Sequence, residues 1–251
     1  MRFDVITLFP EMFAPFLETG VTRRAFESKS VDVRLWNLRD FASGHYRRVD
    51  DRPYGGGPGM VMMVEPLVQA LLAIREQRQD RVPVLLFSPI GRTLDHAAVQ
   101  AWSASAGAVL ICGRYEGLDQ RFIDAHVDQQ ISLGDFVLSG GEIAALAMLD
   151  AVARLQGGVL NDPKSHEMDS FNPALDGLLD CPHYTRPECW EGQEVPGVLL
   201  GGHHAQIERW RRDRRLELTA AHRPDLIARA RAARQLTPQD ESVLTALQVK
   251  L

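Results

Sequence analysis

Two uninterrupted apolar runs, "VPVLLFSP" at 82–89 and "GAVLICG" at 107–113, constrain this chain more than any other feature. A strand wetted on one side alternates apolar and polar residues. A strand covered on both faces has no polar side to show, and parallel sheets are covered in that way. Three further strand patterns, at 2–8, 31–38 and 129–134, are separated by helical patterns at 15–28, 65–79, 95–106, 118–127 and 142–156. This alternation predicts an α/β domain on a mainly parallel sheet. "EIAALAMLDAVARLQ" is apolar almost all round, so it reads as a buried helix, stopped by the glycine pair at 157–158.

From 159 the pattern changes. The stretch to 202 is dense in Pro, Gly and Asp without a clear period, and loops of that length are usually functional or linkers. Beyond it the chain reads as helical and arginine-rich, with helix starts at Pro224 and Thr237. The division expected is an α/β domain at 1–160, a linker at 161–202 and a small helical domain at 203–251.

Composition sets the remaining bounds. A chain of 251 residues, 45% hydrophobic, has ample material for one large domain or two smaller ones. No apolar run approaches the ~20 residues of a membrane span. The opening "MRFDVITLFP" reads as a strand meeting Pro10, not as a signal peptide. Three cysteines without an evident framework suggest a reducing compartment, hence a cytoplasmic protein. The net charge of −5 opposes indiscriminate nucleic-acid binding, yet residues 203–235 hold nine arginines against four acids, a local balance of 9 − 4 = +5. That segment is either a solvated helical face or a docking strip for a phosphate backbone.

Chemistry is sought first at three glycine-rich junctions, "YGGGPGM" (54–60), "CGRYEGLD" (112–119) and "LSGGE" (138–142). None carries the Lys-Ser/Thr of a P-loop, and no Gly-x-Gly-x-x-Gly follows a strand, which weakens kinase and dehydrogenase readings. The last two junctions, with "FSPIG" (87–91), end strands, where ligands of open α/β sheets collect. Free backbone amides and carbonyls suit an uncharged group read along its edge, such as adenine. The longer stretch "SLGDFVLSGGE" (132–142) poses the same choice: a ligand held by main chain, or a structural turn with a helix cap.

"DDRPYGGGPGMVM", "CGRYEGLDQR", "SLGDFVLSGGE", "MDSF", "PHYTRP" and "GGHHAQIERWRR" stand in one order and spacing over nearly the whole chain. In these the chain resembles the bacterial tRNA (guanine-N1)-methyltransferases, the TrmD family. The departures are small: Leu118, Gln120 and Phe136 stand where Val, Glu and Tyr are common. The resemblance implies a SPOUT-class α/β domain threaded into a trefoil knot, an exception to the rule against threaded loops. It implies S-adenosylmethionine as methyl donor, held by three loops. Ser88 and Pro89 lie in the first, Gly113 and Glu116 in the second, and Leu133, Gly134, Asp135, Phe136, Val137, Leu138, Gly140 and Gly141 in the third. It implies tRNA as substrate, methylated at N1 of the guanosine 3′ of the anticodon. It also implies a homodimer with sites at the subunit interface. Guanine N1 must lose a proton before it attacks, and the charge appears largely on O6, so a base and a cation are required. The family pattern assigns these roles to Asp169 and Arg154.

Each assignment has a plainer counterpart. Arg154 falls in a helix's last turn, where a cation complements the dipole, and Asp169 can cap the next turn. Glu116 and Asp135 can neutralise a sulfonium, contact ribose or bind a divalent ion such as Mg²⁺, and no metal ligands are assigned. His45, Arg48 and Asp50 can approach the nucleotide or simply be solvated. Cys181, His183 and Cys189 match no standard zinc spacing. The competing functions are a non-catalytic RNA-binding module, a nucleotide-dependent α/β enzyme, and a knotted methyltransferase acting elsewhere on RNA.

Overall fold

The computed structural model describes residues 1–162 and 165–248. Residues 163–164 and 249–251, which the sequence assigns to the linker and the last helix, lie outside the described residues. The chain divides into two compact units, the first comprising Met1–Asn161 and the second beginning at Asp162.

The first unit is built on strands β1 (Arg2–Thr7), β2 (Asp32–Asn37), β5 (Val84–Thr93), β6 (Gly107–Ile111) and β7 (Gln129–Ser132). They form one sheet in the order β2-β1-β6-β5-β7, every pair parallel. Its helices are α1 (Ala14–Glu18), α2 (Arg23–Glu27), α3 (Val64–Gln77), α4 (His96–Ser103), α5 (Gln120–His126) and α6 (Glu142–Ala153). Alternate strand residues serve two cores, as the strand period of two requires. Ala108, Leu110 and Cys112 join Val99 of α4 and the apolar face of α6. Val109 and Ile111 join Leu67, Leu71 and Ile74 of α3 with Phe122 of α5. Strands buried on both sides are what the continuous apolar runs predict.

Two differences from the sequence pattern have local causes. The single helix expected over 15–28 is two short helices, broken where Gly20 takes a φ of +75°. β5 runs past its expected end to Thr93, because Arg92 and Thr93 pair with β7 again after a break: Phe87 and Arg92 both stand opposite Ile131. Residues 88–91 therefore bulge out of the ladder with β7. The antiparallel pair β3 (Asp50–Asp51) and β4 (Val61–Met62) is too short for its pattern to be read from sequence.

In the second unit α7 (His204–His222), α8 (Pro224–Ala232) and α9 (Pro238–Gln248) follow a two-residue hairpin, β8 (Cys189–Trp190) and β9 (Gln193–Glu194). Leu178 packs into the helical core with Leu216, Ile227, Ala230 and Leu244. The arginines of α7 are mostly turned to internal use. Arg212 bridges Asp176 at 2.7 Å and Asp240 at 3.1 Å, Arg209 holds Asp213 and Asp240, and Arg215, its side chain 6% exposed, holds Asp180. Asp240 and Thr237 cap α9 reciprocally: the Thr237 amide donates to Asp240, and the Asp240 amide to the Thr237 hydroxyl.

Burial opposes the charge on Asp240, but bonds from Arg212 and Thr237 outweigh it and bring its carboxyl down to about 2. A carboxyl lowered on folding stabilises above its ordinary value of 3.8, and that contribution is lost as pH falls toward about 2. Asp240→Asn should therefore lower stability at neutral pH by about 1.5–3 kcal/mol, as for hydrogen bonds to charged groups. Thermal melts of the variant should also depend less on pH in that acid window. Parallel pH curves for variant and wild type would refute the assignment.

Candidate active site

The carboxyl ends of β5, β6 and β7 open onto one cavity of about 400 Å³. The three loops expected to converge do so. Ser88 and Pro89 line it from the first, Gly113 and Glu116 from the second, and Leu133, Phe136, Val137, Leu138, Gly140 and Gly141 from the third. Gly134 and Asp135 do not line it. Gly134 instead closes the turn, its amide donating to the Ser132 hydroxyl, which in turn donates to the Gly134 carbonyl. Asp135 is exposed. Ser132, a polar residue at the end of a buried strand, thus serves as a turn lock.

The 112–119 loop is the keystone of this arrangement. On one flank its backbone is bonded to the segment after the "GGGPG" run: the Glu116 amide donates to the Met60 carbonyl, and the Met62 amide to Gly117. On the other flank the Gly141 amide donates to the Gly113 carbonyl at 2.9 Å, and Arg114 bridges Gly140. Tyr115 holds a φ of 59°, costly for a bulky residue and tolerated where a loop is over-determined by its neighbours. A Cβ at residue 141 would sit 2.7 Å from the Cys112 Cα, so only glycine lets the third loop lie on the end of β6. At residue 140 a Cβ would meet the Arg114 side chain at 2.2 Å.

Beneath the loops lies a polar group that sequence reasoning did not single out. Glu142, the first residue of α6, is 0% exposed. Its Oε1 accepts from the Thr7 hydroxyl at 2.8 Å, and its Oε2 lies 2.9 Å from Arg114 Nε. That second contact is short yet off the hydrogen-bond axis for both atoms, so it is charge pairing and not a directed bond. The Arg114 guanidinium also donates to the Ser139 carbonyl at 3.2 Å and stacks over the Phe9 ring at 4.4 Å. Burial and the neighbouring Glu142 carboxylate push the Cys112 thiol well above its ordinary value, which leaves it inert. The signals were present as letters, Arg and Glu beside glycines, but partners 28 or 135 positions apart cannot be read from spacing.

The two residues assigned to catalysis lie in different units. Arg154 caps the C-terminus of α6, its amide donating to the Asp150 carbonyl. Asp169 sits in a turn whose amides and carbonyls are tied to His166 and Asn172. His45, Arg48 and Asp50 lie in and before β3, and Arg48 pairs with Asp51. Among the described residues one group of potential metal ligands gathers, Asp180, Cys181 and His183, without Cys189. Burial opposes the charge on Asp180, but bonds from the Cys181 amide and His183 hold its carboxyl below the ordinary range.

A parallel sheet whose strand ends surround a partly apolar cavity places the chain in the α/β class whose ligands collect at strand ends. The family described as tRNA (Guanine-1)-methyltransferase TrmD matches residues 1–229, and the chain belongs to it. Its relatives include proteins named tRNA (guanine-N(1)-)-methyltransferase. The one from a Polaromonas species is 70% identical, covering 98% of this chain and 97% of its own. That from Albidiferax ferrireducens is 71% identical over 97% and 98%, and that from Bordetella pertussis 57% over 98% of each.

The close approach at residue 141 gives a stability test. Gly141→Ala must move backbone and should cost about 1–3 kcal/mol, the usual range for overpacking. Gly157→Ala meets nothing within 4 Å and should stay within about 0.5 kcal/mol. Equal denaturant midpoints for the two variants would contradict the packing described.

Proposed function

We propose that this chain transfers the methyl group of S-adenosylmethionine to N1 of the guanosine immediately 3′ of the anticodon in tRNA. The observation that carries the reading is the convergence of three glycine-bearing strand-end loops on one cavity, in a chain matching this family over residues 1–229. Bare backbone at residues 113, 140 and 141 fits the adenosine portion of the donor, and Leu133, Val137 and Leu138 supply an apolar lining. The sulfonium makes the methyl group electrophilic. In this reading Asp169 takes the N1 proton and the Arg154 guanidinium stabilises the charge that develops on O6.

The break in the β5–β7 pairing at 88–91 and the close contact of residues 140 and 141 with Arg114 and Cys112 support a trefoil-knotted chain of the SPOUT class. Exposed apolar side chains beside the cavity, Ile90 at 82% and Val137 at 83%, with Ile143 on α6, support a homodimer covering this mouth. Asp169 then reaches the site from the partner. A tRNA substrate implies a cytoplasmic setting, and among the described residues no helix is long and apolar enough to cross a membrane.

Incubation with labelled S-adenosylmethionine and unmodified tRNA, followed by nucleoside analysis, tests the reaction. Methyl on any atom other than guanosine N1 overturns it. Asp169→Asn should slow single-turnover transfer by roughly two to four orders of magnitude, the span of general-base loss. Heterodimers of Asp169→Asn with Arg154→Ala subunits should regain one working site. Mixtures as inactive as both parents would place base and cation on the same chain.

Docking of tRNA is assigned to the solvent-facing arginines of the second unit. Arg212 and Arg215 hold that unit together through Asp176, Asp240 and Asp180 and are not part of this docking surface. Replacing half-buried Arg211 and exposed Arg229 and Arg234 with Gln should weaken tRNA binding and flatten its salt dependence. An unchanged salt slope would return these residues to ordinary surface.

A further inference from the structure

Of the described residues that line the cavity, Arg114 carries the only positive charge and Glu116 the only negative one. Arg114 is held there by more than one contact: its amide donates to Met62 Sδ, its guanidinium reaches Ser139, and its planar group lies over Phe9. A fixed cation in the wall of a small, partly apolar cavity repels any cationic ligand, and low polarity strengthens the repulsion. Glu142 meets that cation from beneath. It does not line the cavity, it is wholly buried, and its other oxygen is fixed by Thr7 at the end of β1.

A buried carboxylate is costly to desolvate, and apolar replacements of buried ion pairs are often neutral or stabilising. Cohesion alone therefore gives a weak account of Glu142, since α6 is apolar at nearly every other buried position. The pair also lacks the aligned hydrogen bond that would make it a strong structural tie. What the carboxylate supplies is charge at a fixed place: it cancels the field of Arg114 without occupying ligand space.

We infer that Glu142 is a specificity-determining residue that acts through Arg114, setting how the cavity discriminates a sulfonium ligand from its neutral thioether. The inference rests on the reading of the cavity as the S-adenosylmethionine site. Donor and product, S-adenosylhomocysteine, differ by one methyl group and one positive charge at sulfur. With Glu142 charged, Arg114 is offset and the donor is admitted. With Glu142 neutral, Arg114 opposes the donor and leaves the thioether almost unaffected. Thr7 is the accessory, holding the carboxylate in the orientation that faces Arg114.

The test compares affinities for the two ligands by calorimetry on the full-length protein, with melting curves to establish folding. Glu142→Gln keeps size and the Thr7 contact, and should weaken S-adenosylmethionine about tenfold more than S-adenosylhomocysteine. Arg114→Gln removes the cation and should shift the same ratio the other way. The double variant should restore it to near the wild-type value, whatever the absolute affinities become. If Glu142→Gln does not fold, the Arg114→Gln and double variants still differ in ratio by the charge of Glu142 alone. Equal losses for both ligands in every variant would reduce Glu142 to a structural residue and overturn the inference. Failure of the wild-type protein to bind either ligand would instead overturn the reading of the cavity.

Discussion

Between residue 141 and the end of β6 there is room for two backbones and nothing else: a single added carbon at Gly141 would lie 2.7 Å from the Cys112 Cα. Much of the first unit's functional architecture depends on that contact. It starts α6 directly above β6, which places Glu142 under the cavity floor and Ala144 and Ala145 on the sheet. It lets the Gly141 amide bond the Gly113 carbonyl, so the second and third loops share one edge. The third loop can then turn back through Ser132 and Gly134 and still meet the second. Protein interiors resist continuous deformation, so a steric condition of this kind fixes several elements at once.

Legibility from sequence followed the range of the interactions involved. The parallel sheet was readable because burial on both faces writes itself into consecutive residues, as in "VLLF" and "AVLI". The glycine loops were readable for the same reason, since bare backbone is recorded locally. The break at Gly20 was missed because an isolated glycine in a helical pattern does not announce its φ. The second pairing of β5 with β7 is not legible because nothing in "SPIGRT" marks a strand that resumes after a bulge. Arg114, Glu142 and Thr7 form one group through the fold alone.

Charge in the second unit shows how composition can mislead. Nine arginines within 33 residues, 203–235, suggest a surface made for polyanions. Yet Arg209, Arg212 and Arg215 are spent on Asp213, Asp176, Asp240 and Asp180, in contacts that tie α7 to the α9 cap and to residues 176–180. Arginine suits this work because its planar group can serve two carboxylates at once while its stem packs against apolar neighbours. The net positive balance of the segment survives the pairing, but the side chains available to a phosphate backbone are fewer than the count and lie elsewhere on the unit. Exposed Arg229 and Arg234, on and after α8, are part of that remainder.

Two of the buried carboxylates, Glu142 and Asp240, make opposite use of the same penalty. The Asp240 carboxylate is satisfied several times over, by Arg209, Arg212 and the Thr237 amide, and its lowered carboxyl reports a group whose charge is favoured by folding. Such a residue stabilises, and its partners lie within its own unit. Glu142 has one directed bond, from Thr7, and one cation, Arg114, in the cavity wall. A burial penalty offset so sparingly inside the protein is consistent with a charge whose remaining interactions depend on what the cavity holds. In a methyltransferase the ligand changes charge during turnover, from sulfonium to thioether, so a fixed buried charge near the cavity weights the two states differently. The same number of carboxylates arranged for stability alone would be placed like Asp240, under several donors and away from any cavity that a ligand enters.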